Sequence, residues 1–387
     1  MTVYLDHAAT SPLRPEARDA WLEATGHLGN ASSIHGAGQD ARRLLEDARE
    51  RLAAVLDCQP IEVVFTSGGT ESINLALKGL WWSRRPGTEA LVLPDGEHHA
   101  TLDTVGWLRS HEGTQVVPVA LDRHARIRPD RLADSLGEQV ALATALVANN
   151  EAGTVNDAAA LAAVAAERGV PLHLDAVAAF GHVPVAFRAW RGAASGSAGL
   201  VALSVSGHKI GAPVGTGALV VSRDATLTAL QHGGGQQRAL RAGTQDVAGA
   251  TALAVAAELA QAEFETEAVR LAALRDRLLG RLREEIPELV LLGDPVDRLP
   301  GSLHVHLPGA AGESLLYLLD RAGIAVSTGS ACQAGVPEPS HVVMAMGLDE
   351  RAARQVLRIT LGRTSTPQDV DALADALPTA YRTAARR

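Results

Sequence analysis

The chain is poor in aromatic residues, which make up 3% of its 387 positions, so alanine, leucine and valine must carry most of its core. It has two cysteines, Cys58 and Cys332, too few for a disulfide framework and without the C-x-x-C spacing that marks zinc. No useful run of lysine or arginine occurs, and the net charge of −9 argues against a nucleic-acid surface. No uninterrupted apolar stretch approaches the ~18 residues of a membrane span. The opening MTVYLDHAAT carries an aspartate and a histidine within seven positions, unlike a signal peptide. Neither G-x-G-x-x-G nor the Gly-Lys-Ser/Thr of a nucleotide loop is present. These absences predict a reducing, cytoplasmic setting, with no membrane and no nucleic acid as partner.

What is present is a repeating pattern. The length exceeds one ordinary domain and predicts a large domain plus a smaller one. Residues 1–12 read as an extended arm, Pro15–Thr25 and Ala37–Leu56 as amphipathic helices, and Ile61–Thr66 as a strand running into a helix at Ile73–Trp82. Strands at Ala90–Pro94, Gln115–Val119, Ala141–Ala148 and Pro171–Leu174 follow, with a helix at Ala158–Arg168. Continuous apolar strands alternating with helices imply a mostly parallel sheet covered on both faces. Thr251–Arg283 is a long helical link to a second region. That region has strands at Leu289–Leu292, Ser302–Leu307 and Ile324–Ser327, and helices at Glu313–Ala322, Glu350–Leu357 and Pro367–Ala385. Gly192–Gly199 (GAASGSAG) reads as a flexible loop.

Chemistry concentrates at Lys209, which lies between an apolar strand-like run and a glycine-rich turn in SGHKIGAPVGTGAL. Burial there disfavours the ammonium form and lowers its pKa. A lysine in that state can form a Schiff base with an aldehyde, as with pyridoxal phosphate; the plain alternative is a lysine in a surface turn. Ser67-Gly68-Gly69-Thr70, between strand and helix, suits a small phosphate monoester or is an ordinary capped turn. Asp175 ends an apolar strand, where it either meets a ligand in the crevice or caps a helix. Asn149 and Asn150 follow another strand and reach the same crevice or satisfy a turn. His98 and His99 come a few residues after a strand; a flat imidazole over a cofactor ring and a structural histidine are both open. His304 and His306 share a strand face but lack a third ligand, so no metal site is expected. Cys332 sits in the small polar stretch STGSACQAG, a setting suited to a reactive thiol. Cys58 carries no such signal.

Taken in order, YLDHAAT, GNASSIH, VFTSGGTES, GEHHATLD, NNEAGT, HLDAVAAFG, SGHKIGAPVGTGAL, HGGGQQRALRAGT, STGSAC and RITLGRTS span nearly the whole chain. They resemble the signatures of the class V aminotransferase family, in particular its cysteine desulfurases of the iron–sulfur-cluster-assembly type. The resemblance implies an α/β chain of the pyridoxal-phosphate-dependent transferase fold type I. It implies a large domain (13–255) with a seven-stranded-type, mostly parallel sheet, a smaller α+β C-terminal domain (256–387), and an N-terminal arm (1–12) against the latter. Lys209 would carry pyridoxal phosphate as a Schiff base, His98 would stack on its ring, and Asp175 would pair with the pyridine nitrogen. Gly69, Thr70, Ser206 and His208 would hold the phosphate, with Thr244 supplied by the partner of a homodimer, and Asn150 would lie near the ring hydroxyl. Asn30 and Arg358 would receive the substrate carboxylate, a role a guanidinium fills by gripping both oxygens. L-cysteine would be converted to L-alanine, with a persulfide on Cys332 passed to an acceptor protein such as a cluster scaffold or thiolation enzyme. The spacing from Cys332 to Glu338-Pro339-Ser340-His341 resembles the branch in which the cysteine travels.

One position departs from the resemblance. Three residues after the aspartate the family carries a glutamine bonded to the cofactor ring oxygen, and here stands Ala178. That hydrogen bond is worth roughly 1.5–3 kcal/mol where the acceptor is charged. A sister enzyme (selenocysteine lyase, C–S β-lyase or transaminase) is the alternative activity, although Cys332 has no purpose in one. A non-catalytic binding module of a sulfur pathway is a further alternative that Ala178 motivates.

Overall fold

The computed structural model describes residues 2–329 and 338–385. In chain order the elements begin with β1 (Val3–Tyr4), α1 (Pro15–Thr25), α2 (Gly36–Val55), β2 (Val63–Thr66), α3 (Gly69–Trp82), β3 (Ala90–Pro94), α4 (His99–Glu112) and β4 (Gln115–Val119). They continue through α5 (Pro129–Ser135), β5 (Val140–Leu146), α6 (Ala158–Glu167), β6 (Pro171–Asp175), α7 (Phe187–Arg191), β7 (Gly199–Ser206) and β8 (Gly217–Val221). The C-terminal part holds α8 (Val247–Glu285), β9 (Val290–Leu292), β10 (Ser302–His306), α9 (Gly312–Arg321), β11 (Ile324–Ala325), α10 (His341–Ala345), α11 (Glu350–Ala353), β12 (Val356–Thr360) and α12 (Pro367–Ala384).

Seven strands form one sheet in the order β2-β8-β7-β6-β5-β3-β4, and β8 pairs antiparallel with both of its neighbours. The pairs among β4, β3, β5, β6 and β7 are parallel. Strands β5, β6 and β7 are buried nearly end to end, as a sheet with helices on both faces requires. Because β2, β3, β5, β6 and β7 run the same way, the segments that leave their C-terminal ends converge on one edge of the sheet, where open α/β sheets bind ligands.

The helix α8 is 39 residues long, or about 58 Å at 1.5 Å per residue. By length and composition a window of it is apolar enough to cross a bilayer, although charged residues interrupt its apolar runs, and part of that window is buried in the fold. Its alanine-rich first half is buried on α1 and α2, where Arg14–Glu263 and Arg51–Glu258 ion pairs flank the contact. Its leucines at 271, 274, 278, 279 and 282 enter a separate apolar cluster with β10, β12, α9 and α12. β1 pairs with β11 in that same region, so Leu5 is buried there.

Several sequence expectations change. The span Glu350–Leu357 is not one helix: α11 stops at Ala353, and the chain turns into β12 because Val356, Leu357 and Ile359 complete the apolar cluster on β10. The helix after β2 begins at Gly69 rather than Ile73, which draws Thr70 into its first turn. The segment 192–199 is a turn tied down by Arg191, whose guanidinium donates to the carbonyls of Gly196 (2.8 Å), Ala198 (3.2 Å) and Leu200 (2.5 Å).

Candidate active site

At the C-terminal edge of the large sheet lies a cavity of about 420 Å³. Lining it are Gly69, Thr70, His98, Asn150, Asp175, Ser206, His208, Lys209 and Arg358. These residues come from segments as far apart as positions 69 and 358, and the sheet brings them together.

The chain has two lysines. Lys78 lies over the Trp107 ring at 4.5 Å on α3, so Lys209 is the lysine of the cavity. It follows β7 through a short 3-10 turn, Gly207–Lys209. Its Nζ donates to the carbonyls of Ala8 and Ala9, the latter at 3.0 Å. Burial, and then the charge of Arg358, lower its pKa to about 8, against the opposing pull of Asp6 and Asp175. An amine so placed has a sizeable uncharged, nucleophilic fraction near neutral pH.

Asp175 closes β6 and is 2% exposed. Burial raises its pKa to about 6, while the Val177 N–H (2.8 Å) and Lys209 hold it down. His98 caps the N-terminus of α4, its Nδ1 accepting from the Ala100 N–H at 3.1 Å. Burial and nearby Lys209, His99, His341 and Arg358 push its pKa down to about 4, so it is a neutral imidazole at pH 7. His208, lowered to about 4 by burial and Lys209, contacts the Thr10 hydroxyl at 3.3 Å.

Four buried polar atoms of residues lining this cavity have no partner among the described residues: His7 Nδ1, Ser206 Oγ, Asn150 Oδ1 and Arg358 Nε. Unsatisfied buried groups are costly and point to a polar ligand. Gly68, at φ +149, turns the chain into α3 in a conformation open to glycine, and a Cβ on Gly69 would stand 2.6 Å from Val177 Cγ2. The free N–H groups of the first turn of α3 are thereby left open to an anion beside Thr70. An amine, a buried carboxyl, a flat neutral imidazole and a phosphate-sized nest together fit pyridoxal phosphate. Ala178 lines the same cavity.

Two expected residues stand elsewhere. Asn30 is exposed and its Oδ1 accepts from the Ser32 N–H at 2.9 Å; Thr244 is also exposed, and neither lines the cavity of this chain. Cys332 lies outside the described residues. Among the described residues, no group of three or more metal-ligating side chains is placed to hold an ion. His304 is fully buried, its pKa lowered to about 3 chiefly by that burial, and His306 shares its strand.

Sequence reasoning offered Glu151, beside Asn149 and Asn150, a place in the crevice or a turn, and gave no role to Asp6, Glu97, His182 or His341, all near or in the cavity. His182, Glu151 and His341 line it, and His341 Nε2 donates to the Glu97 carbonyl at 2.9 Å. His182 is half-buried and lowered to about 4 by burial and by Lys209. Their signal was present only as neighbours of quoted motifs; what selects them is burial against residues remote in sequence.

The class-V aminotransferase family model matches residues 3–373. The chain is 47% identical over 390 aligned residues to an IscS-like cysteine desulfurase of Mycobacterium tuberculosis, covering 99% of this chain and 97% of that one. It is 38% identical to the cysteine desulfurase IscS of Methanosarcina thermophila, over 97% and 91% of the two chains. A solved NifS-like protein superposes with a TM-score of 0.89 at 30% identity, over 99% of this chain and all of that one. A structure of SspA in complex with cysteine gives 0.79 at 30%, over 93% and 99%. The chain therefore belongs to the class-V aminotransferase family, with the fold of its NifS-like pyridoxal-phosphate enzymes. Within that family it is an enzyme of the cysteine desulfurase class, and the family works with pyridoxal phosphate.

Proposed function

We propose that this cavity converts L-cysteine to L-alanine and hands the sulfur to Cys332, with Lys209, Asp175, His98 and Arg358 as its working residues. The observation that carries the reading is the convergence of a neutralisable lysine, a buried carboxyl and a guanidinium with an unpartnered Nε in one cavity. Pyridoxal phosphate, when bound, supplies an aldehyde that condenses with amines and a protonated ring that withdraws electrons from the substrate. Asp175 holds the ring-nitrogen proton. The uncharged amine of Lys209 would hold the cofactor and would carry the substrate's Cα proton. His98, neutral at pH 7, offers a flat face over the ring and a proton relay. Ser206, His208, Thr70 and Gly69 hold the phosphate, and Asn150 lies toward the ring hydroxyl. Arg358 receives the substrate carboxylate.

The sulfur step balances as a transfer between thiols. The Cys332 sulfur attacks the substrate sulfur, an S–S bond forms as the C–S bond breaks, and the two electrons with a proton become the alanine methyl. The persulfide then passes to an acceptor protein in the cytoplasm, for cluster assembly or thiolation. The working unit is a homodimer. Asn30 and Thr244 are the chain neighbours of Ala31 and Gln245, which with Ser32 and Gly234 among others line a second hollow of about 610 Å³. Leu28 and Ile34 are 89% and 91% exposed, and a partner subunit covering this part of the chain would receive Thr244 at its cavity.

Purified protein should absorb near 400 nm, release alanine from L-cysteine, and carry a persulfide that alkylation of Cys332 prevents. A yellow protein that forms no alanine would move the reading to a sister lyase or transaminase; one that takes up no cofactor would favour a binding module.

A further inference from the structure

Arg358, on β12, has its guanidinium fixed from two sides. Nη1 donates to the Asn150 carbonyl and Nη2 to Asp6 Oδ1, each at 3.0 Å. Nε is buried and has no partner among the described residues. A carboxylate held by both oxygens uses either Nε with Nη2 or Nη1 with Nη2. Nη2 belongs to both arrangements, and Asp6 already occupies it with a single oxygen. The two side chains are 8% and 19% exposed and both line the cavity, so water screens the pair poorly.

The carboxylate of Asp6 is not needed to hold the arm that carries it. Backbone bonds do that: Leu5 N–H to the Ala325 carbonyl (2.9 Å), His7 N–H to the Thr360 carbonyl (3.3 Å) and Thr360 N–H to the Leu5 carbonyl (2.8 Å). The Ala8 N–H adds a bond to Thr360 Oγ1 at 2.9 Å. The side chain is thus free to serve the guanidinium.

We infer that Asp6 is an internal carboxylate that competes with the substrate's carboxylate for Arg358, and so sets how tightly the enzyme holds its amino-acid substrate and product. An incoming carboxylate either displaces Asp6 and breaks the ion pair, or shares Nη2 and sets two anions against one cation. Both routes weaken binding of carboxylate-bearing ligands and leave simple amines unaffected. The inference rests on Arg358 as the carboxylate receiver, the reading proposed above.

The test is calorimetric titration of the holoenzyme with L-alanine and with ethylamine, which is alanine without its carboxylate. Asp6→Asn keeps the shape and removes the charge; Asp6→Ser does so with a smaller side chain, and carries the comparison should the first not fold. Both variants should bind L-alanine on the order of tenfold more tightly, with ethylamine unchanged. L-alanine binding that is unchanged or weaker in folded variants overturns the inference and makes Asp6 a strut for Arg358. An equal gain for both ligands also overturns it, because the effect would then lie at Lys209. Arg358→Gln separates the two readings: if it leaves L-alanine binding intact, the carboxylate role of Arg358 itself has failed.

Discussion

Glu97 and Asp175 are two fully buried carboxyl groups that meet around one backbone unit. Glu97 Oε1 accepts from the Leu146 N–H at 2.9 Å, and Leu146 is the residue paired with Asp175 between β5 and β6. Burial, and then the charge of Asp175, lift Glu97 well above the ordinary carboxyl range. Asp175 is lifted less, to about 6, because Val177 and Lys209 favour its ionised form. Asp175 is therefore the carboxyl that ionises first, and Glu97 keeps its proton beside it.

Replacing Glu97 by Gln imitates the protonated acid, so the variant should match the parent's melting temperature near pH 4 and exceed it at pH 7. Glu97→Ala strips the Leu146 N–H of its acceptor and should cost about 2–4 kcal/mol. A raised folded pKa gives stability that is full below the unfolded value and fades as pH rises through the folded one. Thermal melts from pH 4 to 9 should fall less steeply on the alkaline side in Glu97→Gln than in the parent.

For Asp175 the same sign applies to the apoprotein. The group costs stability progressively between pH about 4 and about 6, to roughly 3 kcal/mol above that window. Apo Asp175→Asn should melt higher than the parent at pH 7 to 8, with the gap closing near pH 4, while its alanine production falls by at least a hundredfold. Equal melting at pH 7 would show that the site hydrates Asp175.

The lowered Lys209 makes a prediction for cofactor uptake. With a pKa of about 8, its uncharged fraction rises close to tenfold per pH unit below that value and levels off above it. The rate at which apoprotein takes up pyridoxal phosphate, followed by absorbance, should track that curve. Lys209→Ala should show no such uptake, since Lys78 lies on the surface of α3.

Glu151 ties the two described ends of the segment 330–337. Its carboxylate accepts from Ser340 Oγ at 2.5 Å, and Gly329 lies against it, where a Cβ would be 3.2 Å from Oε2. Ser340 also caps α10 through the Val343 N–H at 3.1 Å. Glu151→Ala should leave cofactor absorbance intact and lower Cys332 persulfide formation by about tenfold or more. Ser340→Ala should add a loss of about 1 kcal/mol in stability from the missing cap.

Much of this was legible in the chain itself. Lys209 stood out because a charged residue between apolar runs needs a reason, and Asp175 because it ended a strand. The strand alternation gave the parallel sheet, and α1 was read to the residue. The reversed β8 was not legible, since nothing local tells a strand which way its neighbours run. Strand β12 was read as helix because Arg351, Ala352 and Ala353 favour one and the partner β10 lies some fifty residues earlier. Glu97 and Asp6 escaped for a related reason. A carboxylate reads as solvated until its burial is known, and that burial comes from elements far along the chain.

The setting of Arg358 has a consequence for how the molecule is made. Its guanidinium joins Asp6, Asn150 and its own strand β12, contacts that span 352 and 208 positions of sequence. Such distant closures are among the slowest to form. A nascent chain that has already finished the seven-stranded sheet still lacks the contacts of Arg358 with Asp6 and Asn150, which wait for β12 to leave the ribosome.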